Sequence, residues 1–194
     1  MKRIFSLLAL VLALSALAGA AKADPLVFAT TLSGANEVPA VASPGTGTAT
    51  VTINGNFMTV SINFTGLSGN TTASHIHCCA PVGTNAMVAT TTPTFPGFPS
   101  GVQSGTYLQT FDLTLASSYN PAFITAHGGT VAQAQADLIA GLLAGQAYLN
   151  IHTNLFPGGE IRGQLQLVPE PATLVLLGTG LAGAAIRRRR RRRA

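Results

Sequence analysis

At 194 residues, with 9% charged residues and a formal net charge of +5, the chain has room for one modest domain. The basicity does not describe that domain: Lys2, Arg3, Lys22 and Arg187 to Arg193 hold ten of the eleven Lys and Arg residues. Between Asp24 and Val168, Arg162 stands alone against Asp24, Glu37, Asp112, Asp137 and Glu160, which excludes a basic face for nucleic acid.

In chain order, Lys2 and Arg3 precede an uncharged apolar run at 4–17, and Ala21-Lys22-Ala23 has the small-x-small pattern of a cleavage site. This predicts a signal peptide over residues 1–23, cut after Ala23 by signal peptidase once the export machinery has engaged it. Residues 24–167 are then one domain of short strand-like runs separated by Gly, Pro and Asn. Strands are expected at 26–32, 46–65, 72–78, 106–115, 147–153 and 160–167. Within 46–65, Ala49, Val51 and Ile53 alternate with threonines, Asn54-Gly55 supplies a turn, and Met58, Val60, Ile62 and Phe64 resume the inner face. Tyr107, Phe111, Leu113 and Leu115 share one face of the next long run, opposite Asp112. Pro93, Pro96 and Pro99 make 80–104 a loop.

One helix is expected at 130–144, capped by Thr130 and ended by Gly145, with Val131, Ala134, Leu138, Ile139, Leu142 and Leu143 at helical spacing. These elements predict an all-β, two-sheet Greek-key sandwich, immunoglobulin-like or superoxide-dismutase-like, with one short helix and apolar helices at both termini.

The chemistry-bearing residues cluster in two of the strands. Period two places His75 and His77 on one face and Ile76 on the other; Asn150 and His152 oppose Leu149 and Ile151 in the same way. The apolar residues claim the core, so the three histidines are expected to face outward. If the strands are neighbours, they form a three-nitrogen site for copper or zinc. The competing reading is structural, with imidazoles pinning the long loop through its backbone. Metal held by ordinary imidazoles is expected to weaken as pH falls through about 6.5.

Cys78-Cys79 follows directly. Export favours a disulfide; two thiols, thiolate ligands completing the histidine site, an intermolecular bond, or a pair that merely ends the strand are the alternatives. Glu160 and Arg162 share a face and are expected to form a surface ion pair, with a carboxylate orienting a histidine as the alternative. Glu37 is read as a loop-anchoring acid. No nucleophile elbow, zincin His-Glu-x-x-His or phosphate loop is present, so no catalytic residues are assigned.

At the C-terminus, Pro169-Glu170-Pro171 breaks any strand, 172–186 is uncharged and apolar, and Arg187 to Arg193 closes the chain. Fifteen residues of helix span about 22 Å, short of the roughly 30 Å hydrocarbon core unless the arginines snorkel. A transmembrane helix at 172–186 with a cytoplasmic arginine tail is expected, within a sorting segment 168–194.

Pro169-Glu170-Pro171, the apolar segment and the arginines, in that order, resemble the PEP-CTERM sorting signal. The resemblance implies an exosortase-type protease that cuts near the Pro-Glu-Pro element. It also implies passage through the inner membrane to the cell surface, in bacteria that make extracellular polysaccharide. Leu32-Ser33-Gly34-Ala35-Asn36-Glu37-Val38-Pro39, Ala73-Ser74-His75-Ile76-His77, Tyr148-Leu149-Asn150-Ile151-His152-Thr153 and Pro157-Gly158-Gly159-Glu160-Ile161-Arg162-Gly163-Gln164-Leu165 resemble the chordin-type CHRD domain. That family implies an extracellular binding module more than an enzyme. His-x-His on an outer strand also resembles, more distantly, the copper/zinc superoxide dismutase sandwich, although only His127 is left to extend the ligand set. The resulting expectation is an exported, surface-associated, non-enzymatic binding or matrix protein, with a dismutase-like metalloenzyme as the alternative.

Overall fold

The structure, a computed structural model, describes residues 24–169 and 178–181. The expected signal peptide, Glu170, Pro171, most of the apolar segment and the arginine tail lie outside the described residues. Among the described residues no helix is long and apolar enough to cross a membrane.

Eight antiparallel strands form one continuous sheet: β1 (Leu26–Ser33), β2 (Thr46–Asn54), β3 (Phe57–Thr65), β4 (Thr71–His77), β5 (Gly105–Asp112), β6 (Tyr148–Thr153), β7 (Ile161–Gln164) and β8 (Gln166–Leu167). The order across it is β4-β6-β7-β1-β2-β3-β5, with β8 also on β1. The all-β expectation holds. Two separate sheets do not emerge, because β1 pairs with β2 on one side and with β7 and β8 on the other. The sheet curls into a half-barrel, and short helices close it.

Local chemistry sets the elements. The β2–β3 hairpin pairs Ile53 with Met58 and Val51 with Val60, and turns at Gly55 with φ +58. β5 stops at Asp112, whose Oδ1 accepts from the Thr114 amide at 2.9 Å and the Thr114 hydroxyl at 2.6 Å. The strand therefore ends three residues before the expected 115. Leu113 still reaches the core, whereas Leu115 is exposed, against the expectation that it shares the inner face.

Helix α1 (Pro121–Ala126) was not expected; six residues are too few for a periodic signal, although Asn120 caps it and Pro121 opens it. Helix α2 (Val131–Leu143) is capped as expected, Thr130 Oγ1 accepting from the Gln133 amide at 3.2 Å. Ala134, Leu138, Gly141 and Leu142 form its buried face; Leu143, expected there, is half exposed.

The core runs between the two halves of the sheet and the helices. It joins Phe28, Val51, Met58, Val60 and Ile62 to Ile76, Leu149, Ile151, Phe123 and Leu138. Each such side chain contributes roughly 2 kcal/mol by leaving water. The 80–104 loop is packed rather than solvated: Ala89 and Phe95 are fully buried. It lies over β4 through Ala89 N to Ile76 O and Phe95 N to Ser74 O. That cover decides the environment of the histidines.

Candidate functional site

β4 and β6 are neighbours, as the three-histidine expectation requires. His75 lies opposite Asn150, His77 opposite Tyr148, and His152 opposite Ala73. Ile76 and Leu149 enter the core, so the histidines share the opposite face. That face is not open to solvent. His75 is 6% and His77 8% exposed, because the 80–104 loop closes over them. Strand alternation predicts the face as found, and a long-range segment buries His75 and His77 on it while His152 stays partly exposed.

Each ring spends one nitrogen on a loop carbonyl, His75 and His77 on the 80–104 loop and His152 on the turn after β6. His75 Nε2 lies 2.7 Å from the Pro93 carbonyl, His77 Nδ1 2.8 Å from that of Ala86, and His152 Nδ1 2.8 Å from that of Pro157. A carbonyl only accepts, so each of these nitrogens carries a proton and donates. In the neutral rings the lone pairs then sit on His75 Nδ1, His77 Nε2 and His152 Nε2. One nitrogen from each ring lies within 4.8 Å of the other two. His77 Nε2 is buried without a partner. His75 Nδ1 and His152 Nε2 face each other at 3.3 Å as two acceptors.

The structural reading and the metal reading therefore use different nitrogens of the same rings. Bonds of about 2.0–2.1 Å to a tetrahedral ion place its ligand nitrogens about 3.3 Å apart. Carbonyl partners on the far nitrogens fix ring orientation, as they do around metal-ligating histidines generally.

Burial pushes His75 down to about 4, against a partial rise from its bond to Pro93 and a further fall from His152. Burial likewise takes His77 to about 4, with the Ala86 bond opposing and His152, His75 and Arg162 adding to the fall. His152 is lowered by burial too. The cluster is neutral at neutral pH.

Around it stand polar residues that the sequence reading placed elsewhere or passed over. Tyr148 stacks on His77, ring centroids 4.7 Å apart and planes 7° from parallel. The Arg162 guanidinium lies 3.6 Å from the Tyr148 ring centre. It donates to Asn85 Oδ1 at 2.8 Å and to the Thr84 carbonyl at 3.0 Å.

Arg162 and Glu160 are both buried, so the expected surface ion pair is corrected. Glu160 accepts from Ser43 Oγ at 2.6 Å, the Ser68 amide at 2.5 Å, Thr153 Oγ1 at 2.7 Å and the Gly69 amide at 3.0 Å. Burial raises its carboxyl, but these four bonds outweigh burial and hold it below the usual carboxylate range. All of its bonds serve loops and β6, so it orients no histidine.

Glu37 does sit in a loop, yet its Oε1 is buried without a partner, as is Asn150 Oδ1. Burial raises Glu37 to about 7, Arg162 opposing. The available signal for these residues was charge scarcity: a domain with one arginine and five acids has few reasons to bury three of the six.

Cys78 and Cys79 are joined in a disulfide, which removes them as thiolate ligands. The disulfide packs against Gly141 of α2, where an added Cβ would overlap both sulfurs. His127, the fourth histidine, is outside the cluster: its Nδ1 lies 2.8 Å from Asp137 Oδ2. That bond and one from Gln133 hold the Asp137 carboxyl below its ordinary value.

Two family models match parts of the chain. Residues 28–165 match the CHRD domain, and residues 167–192 match the PEP-CTERM protein-sorting motif. No curated relative and no solved structure matches it.

Proposed function

This chain belongs to the CHRD domain family, and on that footing we propose a non-enzymatic binding module that holds one copper or zinc ion on His75, His77 and His152. The setting is given by the second match: a PEP-CTERM motif implies export, membrane-anchored sorting towards the cell surface and processing by exosortase-type machinery. Within that setting the proposed surroundings are the extracellular polysaccharide matrix.

The observation that carries the metal reading is the convergence of three neutral imidazole nitrogens within 4.8 Å, each ring anchored by a carbonyl on its other side. Buried acceptors facing one another without a donor are costly, and a cation relieves all three. The non-enzymatic reading is supported by His127, which a dismutase-like ligand set would need and which is engaged with Asp137.

Copper and zinc titration of the full-length protein beside His77→Ala tests the site. The expected result is a loss of at least about 100-fold in affinity, since a removed ligand costs more than a removed outer-shell partner. Equal affinity in the two proteins would exclude this cluster. Copper-dependent consumption of superoxide by the loaded protein would favour the dismutase-like reading instead.

A further inference from the structure

The three histidines offer a metal ion only neutral nitrogen. Among the described residues the cluster contains no carboxylate and no thiolate, and both neighbouring cysteines are tied in their disulfide. The permanent charge nearby is positive, that of Arg162; the Glu37 carboxyl beside it is raised by burial to about 7. Arg162 is the only Lys or Arg between residues 24 and 168, and it is 2% exposed.

Its position relative to the site follows from the sheet order. β6 runs between β4 and β7, so Tyr148 on β6 separates His77 on β4 from Arg162 on β7. Guanidinium, phenol and imidazole form a three-layer stack, 3.6 Å and then 4.7 Å between successive members. Arg162 also grips the other side of His77. Through Asn85 and Thr84 it holds the loop whose next carbonyl, that of Ala86, takes the His77 Nδ1–H.

A dication in this pocket meets two penalties that a monocation largely escapes. The cost of moving an ion out of water grows with the square of its charge, and the repulsion from Arg162 grows in proportion to it. Zinc also seeks a fourth ligand, whereas copper(I) is satisfied by three nitrogens.

Building on the metal reading above, we propose that Arg162 sets the His75–His77–His152 site for copper(I) and against divalent ions. Arg162 is thus a specificity-determining residue that touches no metal. Its charge stands on the order of 8 Å from the site. At an effective dielectric constant of about 20, each added unit of metal charge there costs at least about tenfold in affinity.

The test is a pair of competition titrations on the full-length protein. One uses copper(I) with ascorbate under anaerobic conditions against a chromophoric copper(I) chelator; the other uses zinc against a chromophoric zinc chelator. Wild type is expected to bind copper(I) at least about tenfold more tightly than zinc, since the two ions differ by one unit of charge. Arg162→Gln is expected to narrow that ratio by about tenfold or more through a gain in zinc affinity. Arg162→Lys, which keeps the charge and loses the fork, is expected to preserve the ratio even if both affinities fall.

Wild-type protein that binds zinc as tightly as copper(I) would overturn the proposal. So would an Arg162→Gln variant whose two affinities move in step, since that is the mark of a merely structural arginine. If Arg162→Gln does not fold, Arg162→Met, which keeps an apolar stem on Tyr148, replaces it. Failure of both ions to bind wild type is a different result: it removes the metal site itself.

Discussion

At neutral pH the buried imidazoles of the apo protein carry no protonation penalty, and below it they become a liability. His75 and His77 have ordinary values of 6.5 and folded values of about 4. Above pH 6.5 the rings are neutral folded and unfolded alike. As pH falls from 6.5 towards 4, the unfolded chain takes up protons that the folded chain refuses. Stability therefore declines, by up to roughly 3 kcal/mol per ring. The same burial moves the expected loss of metal to lower pH than the 6.5 of a solvated imidazole.

Glu37 acts in the opposite direction. Its carboxyl is raised from 4.5 to about 7, so between those values the unfolded chain ionises first and stability declines as pH rises. Glu37→Gln is expected to leave stability at pH 4 unchanged. At pH 8 it is expected to raise stability by up to about 3 kcal/mol. Thermal melts of the two apo proteins across pH 4–8 measure both arms. A Gln variant less stable at pH 8 would mean that attraction to Arg162 outweighs burial at Glu37.

Among the elements, α2 carries the sharpest packing constraint. A glycine inside a helix costs about 1 kcal/mol relative to alanine, yet Gly141 sits on the buried face. The reason is contact: a Cβ there would meet the sulfurs of both Cys78 and Cys79. Gly141→Ala is expected to destabilise by roughly 1–3 kcal/mol despite its better helix propensity. The same change in a Cys78→Ala, Cys79→Ala background is expected to be neutral or stabilising. Denaturant melts of the four proteins close the cycle, and additive effects would show that helix and disulfide do not collide.

Glu160 is the other constraint, tying Ser43, Ser68, Gly69 and Thr153 together. Glu160→Gln exchanges two acceptor oxygens for one and sets an N–H against donors. The expected cost is about 2–4 kcal/mol in urea unfolding; a loss below 0.5 kcal/mol would contradict the four-bond account.

What the sequence made legible divides along the same line. The Asn54-Gly55 hairpin, the Thr130 cap and the alternation of His75-Ile76-His77 are local patterns, and each places its residues as found. The burial of Glu160 and Arg162, and the closing of 80–104 over the histidines, depend on partners 7 to 117 positions away. No local period records such partners. Helix α1 escaped because a single turn and a half is too short to repeat.

On the scale of the whole molecule, charge and topology separate the chain into a folded part and a sorting part with almost no linker between them. The CHRD match ends at 165 and the PEP-CTERM match begins at 167. β8 spans that junction: Gln166 and Leu167 pair with Ala29 and Phe28, and the Val168 amide donates to the Val27 carbonyl at 2.7 Å. Cleavage at the Pro-Glu-Pro element therefore falls directly beyond the last strand residue. It leaves the β1–β8 pairing whole, since Pro169 has no N–H to contribute to a ladder. A domain cut there would keep its full set of strands. It also changes sign. With Lys2, Arg3, Lys22 and Arg187 to Arg193 gone, one arginine faces five acids, a net charge of −4 with histidines neutral. An anionic domain is repelled by anionic lipid surfaces. Two measurements on protein recovered from the native cell surface follow. Intact mass is expected to lack Met1 to Ala23 and Arg187 to Arg193, and the melting temperature is expected to match that of the uncleaved chain. Surface protein that retains the arginine run would contradict the processing. A melting temperature lower by several degrees would mean that the cut reaches into β8.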